Sequence, residues 1–227
     1  MCPFEDFPTS PVLFDSATSA MARLSFTLLV AALASFGLAT ASDPDLLTDF
    51  IAPANVTGQV PGSFFKYSKM RPLTDDNVAF PKEFTATKAS LAEFPALNGQ
   101  SVSLAVLQYP AGTVNPPHTH PRSAELLFVT SGTLFVGFID TTNKLYTETL
   151  QAGDMFIFPK GLVHFQYNTN QSGVAVAVSA FGSSNAGTIS IPKTVFTAGI
   201  DETVLAKSFK ASVDDIKKLE YGLKPKA

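Results

Sequence analysis

Seven strand-length apolar runs, separated by residues that favour turns, constrain the fold of this 227-residue chain more than any other feature. Each run is rich in Val, Phe, Leu, Ile or Thr, and the separators include Ser131-Gly132, Ala152-Gly153 and Lys160-Gly161. Short runs at this regular spacing are typical of an antiparallel sandwich or small barrel, so we predict an all-β fold. The expected strands are 102–109, 125–130, 133–139, 145–150, 155–158, 162–167 and 174–181.

Several of these runs are apolar on both of their faces, as at residues 125–130 and 155–158. Successive side chains of a strand point to opposite faces. One face can therefore fill the barrel, while the other has to be covered by something else.

The segment before the barrel has a different character. Residues 42–97 alternate short apolar groups with prolines. Proline cannot donate to a strand ladder, so we predict an extended N-terminal arm with a few short edge strands. The barrel core is assigned to residues 98–191.

The segment after the barrel, residues 192–227, changes to a helical period. Asp201 and Ser212 are the expected N-caps of two short helices, and Gly222 is the expected end of the second. A narrow apolar stripe in the second helix predicts packing either on the chain's own barrel or on a neighbouring subunit.

The N-terminal region has the three-part pattern of a secretory signal peptide, assigned to residues 21–41. Its apolar part, residues 24–38, is shorter than the roughly 20 residues of a membrane-spanning helix, and Ala39-Thr40-Ala41 is a small-residue cleavage site. Residues 1–20 are acidic, and we interpret them as an upstream extension. The mature chain is therefore expected to be secreted and to have no membrane anchor.

The mature chain carries few other compositional signals. Cys2, the only cysteine, precedes the cleavage site, so no disulfide is expected. Acidic and basic residues nearly balance, so the mature chain lacks the excess positive charge that attracts nucleic acid or an anionic membrane. Asn55 and Asn170 begin sequons and are candidates for glycosylation.

All three histidines of the chain lie in one short stretch with Glu125. His118 and His120 are two residues apart, so in an extended segment both rings point to the same face. A turn at residues 121–123 lets Glu125 reach back to that place, and His164 comes from a distant run. We predict a metal site at these four side chains, with coordination positions left open for water or substrate.

Ligand chemistry alone leaves the ion undecided. Structural zinc sites rely on cysteine and are four-coordinate, whereas this site has no cysteine. Imidazole suits Fe, Cu, Ni and Zn, while carboxylate suits Mn.

Two spaced boxes carry a resemblance to a known family. The first runs from Gly112 through His118, His120 and Glu125 to Gly132, and the second runs from Gly153 through Pro159, Gly161 and His164 to Asn168. They resemble the two boxes of the germins and germin-like proteins, plant members of the cupin superfamily. The resemblance covers nearly all of residues 42–225.

This resemblance implies a jelly-roll β-barrel that holds one manganese ion on His118, His120, Glu125 and His164. It also implies a glycoprotein secreted to the cell wall, or apoplast, and assembled as a homohexamer, a trimer of dimers. Such an assembly would cover the outward apolar faces of the strands.

The chain departs from the family pattern at two places. Phe50-Ile51-Ala52-Pro53 stands where the first of two disulfide-forming cysteines is expected, so the arm must be held by packing alone. Germins that oxidise oxalate resemble this chain but carry an asparagine ten residues before the position of Asn115, where this chain has Ala105. Oxalate oxidase activity thereby loses its best support.

The resemblance leaves three functions open. Superoxide dismutation at manganese is the first expectation, with small oxygen species as substrates. The alternative is a cell-wall binding or receptor-like protein whose metal is structural, and oxalate oxidation comes third. Asn115 and Asn168 are candidates for supporting the ligands or a substrate, although both also suit turns.

Overall fold

The computed structural model describes residues 43–44, 46–54, 56, 58–75 and 77–224. The expected extension at 1–20, signal peptide at 21–41 and sequon residue Asn55 lie outside the described residues. Within the described ranges, no helix is long and apolar enough to cross a membrane.

Ten strands build the body of the fold in the part of the chain that the structure describes. In chain order they are β1 (Thr85–Ala89), β2 (Ser103–Tyr109), β3 (Val114–Thr119), β4 (Glu125–Ser131), β5 (Thr133–Ile139), β6 (Leu145–Gln151), β7 (Met155–Phe158), β8 (Val163–Tyr167), β9 (Ala175–Phe181) and β10 (Ile189–Ser190). They form two five-stranded sheets, ordered β1-β2-β9-β4-β7 and β10-β3-β8-β5-β6. All pairings are antiparallel. This is the jelly-roll arrangement that the resemblance implies.

All seven predicted strands are present with bounds within one residue of those expected. The arm contributes one described strand, β1, at the edge of its sheet, where a few short edge strands were expected. The expected list lacked β3 and β10. β3 was not predicted because Pro116 and Pro117 lie inside it, and proline is ordinarily a reason to exclude a strand.

The core lies between the two sheets. Alternate residues of β2, β4 and β9 are buried, which is the period expected when one face of a sheet packs on another layer. The largest fully buried apolar side chains are Tyr109, Leu127, Leu134 and Phe158.

The outward face of the first sheet remains apolar and exposed. Leu126, Met155 and Ile157 are 42%, 62% and 52% exposed, and they are the alternate residues of β4 and β7. Within the described chain these two strands therefore have the doubly apolar character that the sequence predicts.

Aromatic packing holds the arm. Phe50 and Phe65 meet edge to face with ring centroids 5.0 Å apart, in the region where the family pattern has its first disulfide-forming cysteine and this chain has none. Tyr67 stacks on Phe94, and its hydroxyl donates to the backbone carbonyl of Lys88 on β1 at 3.1 Å. An edge-to-face aromatic pair contributes about 1 kcal/mol beyond the area it buries.

Three short helices follow the barrel: α1 (Ile191–Thr197), α2 (Glu202–Phe209) and α3 (Val213–Leu223). The predicted caps are confirmed, since Asp201 accepts hydrogen bonds from two backbone amides of α2 and Ser212 accepts one from Asp215 in α3. The expectation that Gly222 ends the last helix is wrong, because α3 continues through Leu223. Its C-cap, Lys224, precedes a proline, which favours extended backbone at that residue.

Part of the apolar stripe of α3 packs on the preceding helices of the same chain. Ile216 is fully buried with Leu205 and Ala206 of α2, and Val213 packs against this cluster. Leu219, the third residue of the stripe, is 47% exposed.

Candidate metal centre

Four buried side chains from both sheets converge at one place. His118 comes from the end of β3, His120 follows that strand, Glu125 begins β4, and His164 lies on β8. The Nε2 atoms of His120 and His164 lie 2.9 and 3.1 Å from Glu125 Oε2, and that of His118 lies 4.0 Å away. One donor atom from each residue falls within 4.8 Å of the others. The structure thus brings together all four residues that the sequence selected.

A bulge at Pro116-Pro117 allows β3 to present two inward polar side chains. Asn115 pairs with Gln166 and His118 pairs with His164, so β3 advances three residues while β8 advances two. In a regular strand, two side chains three residues apart point to opposite faces, and the extra residue of a bulge reverses this. The double proline therefore places Asn115 and His118 on the same side of the sheet.

Each histidine ring is oriented by a backbone carbonyl. The Nδ1 atoms of His118, His120 and His164 lie 2.8, 2.5 and 2.9 Å from the carbonyl oxygens of Pro116, Gly187 and Leu162. A carbonyl can only accept, so each Nδ1 carries the proton and each neutral ring has its lone pair on Nε2. This arrangement is the usual support of a metal-ligating histidine.

The four donors fit a cation. With Nδ1 protonated and the rings neutral, three Nε2 lone pairs face a carboxylate oxygen across a buried space, and only an added proton or a cation can offset their repulsion. Burial and the neighbouring His164 lower the pKa of His118 to about 4, so this ring is neutral at pH 7. A bound metal ion would satisfy all four donors at once.

The second oxygen of Glu125 is held in place by two donors. Ser179 Oγ donates to Oε1 at 2.6 Å, and Gln166 Nε2 donates to it at 3.3 Å. Burial alone would raise the pKa of Glu125, but in the absence of a metal ion hydrogen bonds and positive charge from His120 and His164 outweigh burial and bring it well below its usual range. The carboxylate is therefore charged, with Oε2 turned to the imidazoles.

Gln166 connects the site to two further side chains. Its Oε1 accepts from Tyr109 Oη at 3.2 Å and from Asn115 Nδ2 at 2.6 Å. Burial and the charge of Glu125 raise the pKa of Tyr109 well above its usual value, so its hydroxyl remains a donor. Sequence reasoning singled out Asn115 but missed Gln166 and Ser179 as supports. Gln166 lies two residues after His164 and so on the same face of the strand, and this spacing could have indicated its position near the site.

Asn168 supports loops next to the site. Its Nδ2 lies within 3.1 Å of the carbonyl oxygens of Tyr109, Pro110 and Gly173, and its Oδ1 accepts from the amide of Asn170. These contacts tie the β2–β3 and β8–β9 connections together. The side chain is fully buried and bonds to backbone groups instead of to the four converging residues.

A cavity of about 420 Å³ reaches the site. His118, His120 and Glu125 form part of its wall, and Asn115 and Ala105 also line it. Ala105 presents only a methyl group, so it offers no hydrogen-bond donor to a bound carboxylate.

The metal-free protein should lose stability as the pH falls from about 6.5 to about 4. His118 has a pKa of about 4 in the fold but titrates near 6.5 when unfolded. Within this window the unfolded chain binds more protons, so protonation favours unfolding by up to about 3 kcal/mol. Urea unfolding at pH 7.5 and pH 4.5, in the presence of chelator, measures the loss. The loss should shrink in His118→Asn, and a free energy of unfolding that does not change with pH would contradict the prediction.

The sequence is similar to known proteins over most of its length. A family model described as Cupin matches residues 72–217. Germin-like protein 9-3 of Oryza sativa subsp. japonica is 55% identical over 206 residues, covering 89% of this chain and 96% of that protein. Germin-like protein subfamily 2 member 1 of Arabidopsis thaliana is 37% identical over 216 residues, covering 88% and 96%.

Solved structures show the same relationship. An oxalate oxidase studied for its mechanism superposes with a TM-score of 0.69 at 34% identity, covering 80% of this chain and 98% of the other. Oxalate oxidase in complex with the substrate analogue glycolate gives a TM-score of 0.68 at 32% identity, with the same coverage. Pumpkin seed globulin, at 16% identity and a TM-score of 0.57 over 66% of this chain and 39% of its own, shares the fold alone.

Proposed function

This chain belongs to the germin-like proteins of the cupin family, and from that premise we propose that it binds one manganese ion and dismutates superoxide. The ligands in this proposal are the three buried histidines and Glu125. The observation that carries it is the convergence of three imidazole Nε2 atoms on one oxygen of Glu125, beside a cavity that His118, His120 and Glu125 help to line.

The protein's own contribution is to orient and shield the site. Backbone carbonyls fix the three rings, and Ser179 and Gln166 fix the carboxylate, so the donors need little reorganisation. Phe158 stacks on His164 with ring centroids 4.4 Å apart, and Phe181 meets His120 edge to face at 4.8 Å. Phe158 is fully buried and covers the site from the core, whereas Phe181 also lines the cavity.

The proposed reaction converts two superoxide ions and two protons into O2 and hydrogen peroxide. One superoxide is oxidised to O2, and the other is reduced and takes up both protons. Bound manganese would supply the one-electron redox change that links the two halves. Acidic and basic residues nearly balance in the expected mature chain, so we expect little long-range steering of the anion and a rate only weakly dependent on salt.

Superoxide consumption by matched samples tests this proposal. The manganese-loaded mature chain should be active, while metal-stripped protein and His164→Ala should fall to the rate of buffer. Glu148→Gln, a change on the exposed strand β6, should retain full activity. Equal rates of superoxide consumption in the loaded, stripped and His164→Ala samples would contradict the proposal.

Oxalate oxidation is the second candidate, favoured by the cavity. Its volume of about 420 Å³ exceeds what superoxide needs, and Asn115 in its wall could hold a carboxylate. Oxalic acid and O2 would give two CO2 and one hydrogen peroxide. The methyl group of Ala105 in the same wall argues against tight oxalate binding. Hydrogen peroxide released on adding oxalate to the manganese-loaded protein would favour this candidate over dismutation.

We further propose secretion to the plant cell wall, glycosylation at Asn55 or Asn170, and assembly as a hexamer. Asn170 is exposed in the β8–β9 turn, which supports its access to modification. The exposed apolar residues of β4 and β7 support an assembly that covers them. A non-catalytic binding protein with a structural metal would show the same assembly and metal content but no turnover of superoxide or oxalate.

A further inference from the structure

The loop from Gly182 to Thr188, here called the 182–188 loop, joins β9 to β10 and borders the candidate metal centre. The carbonyl oxygen of Gly187 accepts from His120 Nδ1 at 2.5 Å, and Thr188 Oγ1 lies 3.4 Å from the same nitrogen. Asn185 and Ala186 also line the cavity. This loop therefore both orients one ring of the site and forms part of the cavity wall.

Contacts from beyond the loop fix its second half. The amide of Arg122 donates to the carbonyl oxygen of Ala186 at 3.1 Å. The guanidinium of Arg122 donates to the backbone oxygen and to Oδ1 of Asn185 at 2.5 and 2.9 Å. Gly187 has a φ of +72°, and a Cβ there would come 2.7 Å from Arg122 Nη2. The positive φ favours glycine at this position, and the absence of a Cβ leaves room for the Arg122 guanidinium.

The first half of the loop is held by the N-terminal arm. Asp43 accepts from Ser183 Oγ through Oδ1 at 2.6 Å and from the amide of Ser184 through Oδ2 at 2.7 Å. Ser183 Oγ in turn accepts from the amide of Asn185 at 3.1 Å. Both carboxylate oxygens are thus used on adjacent loop residues, and hydrogen bonds to a charged acceptor are about twice as strong as neutral ones.

These contacts form a continuous path from the arm to the site. Asp43 fixes Ser183, Ser183 fixes the amide of Asn185, and Gly187 follows two residues later with its carbonyl on His120. Burial raises the pKa of Asp43, but hydrogen bonds from Ser183 and Ser184 and the charge of Arg122 outweigh burial and lower it. The carboxylate therefore remains ionised at neutral pH.

We propose that Asp43 is a positioning residue for the metal centre. By holding the 182–188 loop, it keeps the Gly187 carbonyl on Nδ1 of His120 and so keeps the lone pair of that ring on Nε2. The effect on metal affinity rests on the proposed function, whereas the effect on the His120 tautomer does not. Asp43 is also the second residue after the expected cleavage site, so trimming of the mature N-terminus beyond it would release the loop.

The test compares Asp43→Asn with the parent. The carboxamide has nearly the same size but only one acceptor oxygen, so one of the two loop donors loses its partner. In metal-free protein, nitrogen-15 NMR of the imidazoles should show His120 changing from the Nδ1–H tautomer to a mixture with Nε2–H. The dissociation constant for Mn²⁺ should rise by about 10- to 100-fold, the range typical of a lost support for a ligand.

Asp49→Asn is the matched control on the same arm. Asp49 accepts from Gln100 through its backbone carbonyl, which the substitution preserves. Tautomer and affinity should therefore stay as in the parent. Ser183→Ala removes the hydroxyl that Asp43 holds, and it gives a second route to the same change should Asp43→Asn fold poorly.

Two results separate the proposal from its alternatives. A lower melting temperature in Asp43→Asn, with the His120 tautomer unchanged, would make Asp43 a structural tether only and overturn the proposal. Should the parent bind no Mn²⁺, the proposed function fails, but a tautomer change in Asp43→Asn would still establish the path from the arm to His120.

Discussion

Replacing Glu125 with glutamine should weaken Mn²⁺ binding by more than about 100-fold, because loss of a ligand exceeds the 10- to 100-fold cost of losing a ligand's support. Glu125 is the only anion among the four converging side chains. Glutamine has nearly the same volume, and its Oε1 can still accept from Ser179 and Gln166. Its amide would donate to the imidazole lone pairs that face it. The metal-free variant should therefore melt at or above the temperature of the metal-free parent.

Competition titration against a chelator measures this affinity, with Glu148→Gln as the control. Glu148 lies on the exposed strand β6, so its substitution changes the net charge equally but at a distance from the site. Similar dissociation constants for Glu125→Gln and Glu148→Gln would show that Glu125 is not a ligand.

Removal of the metal should lower the melting temperature by about 8 to 16 °C. Ligand at 1,000 times its dissociation constant stabilises a protein by about 4 kcal/mol. Each kcal/mol shifts the melting temperature of a domain of this size by about 2 to 4 °C. The physical source is the cluster of lone pairs around Glu125, which has no compensating cation in the stripped protein.

Scanning calorimetry at pH 7.5 with and without chelator measures this shift. Added Mn²⁺ should restore the original transition, whereas Mg²⁺, which prefers oxygen ligands, should not. His164→Ala should melt at the same temperature in both conditions. If chelator leaves the melting temperature of the parent protein unchanged, the result would contradict a metal site in the core.

The sequence predicted the strands and the convergence of the four side chains because both depend on local, repeated signals. Strand-length apolar runs need only their neighbours to be recognised. His118 and His120 were assigned to one face by their spacing alone, and their rings lie 5.0 Å apart. Turn residues between Glu125 and the preceding strand then sufficed to predict that the carboxylate reaches the same place.

What the sequence did not predict depends on tertiary contacts between distant segments. β3 contains two prolines, and only its pairing with β8 shows that they form a bulge within a strand. Ser179 and Gln166 look like ordinary strand residues until the sheets meet around Glu125. Asp43 lies 140 residues from Ser183, so no local pattern could connect it to the loop beside His120.

One spectroscopic titration tests most directly whether the buried histidines and Glu125 form a metal site. The metal-stripped mature chain is titrated with Mn²⁺ and examined by electron spin echo envelope modulation, which detects imidazole nitrogen bound to the ion. We predict one ion per chain with couplings from three imidazole nitrogens, and the loss of one of these couplings in any His164→Ala protein that still binds the ion. Stoichiometric Mn²⁺ without nitrogen couplings, or no bound Mn²⁺ at all, would contradict the site.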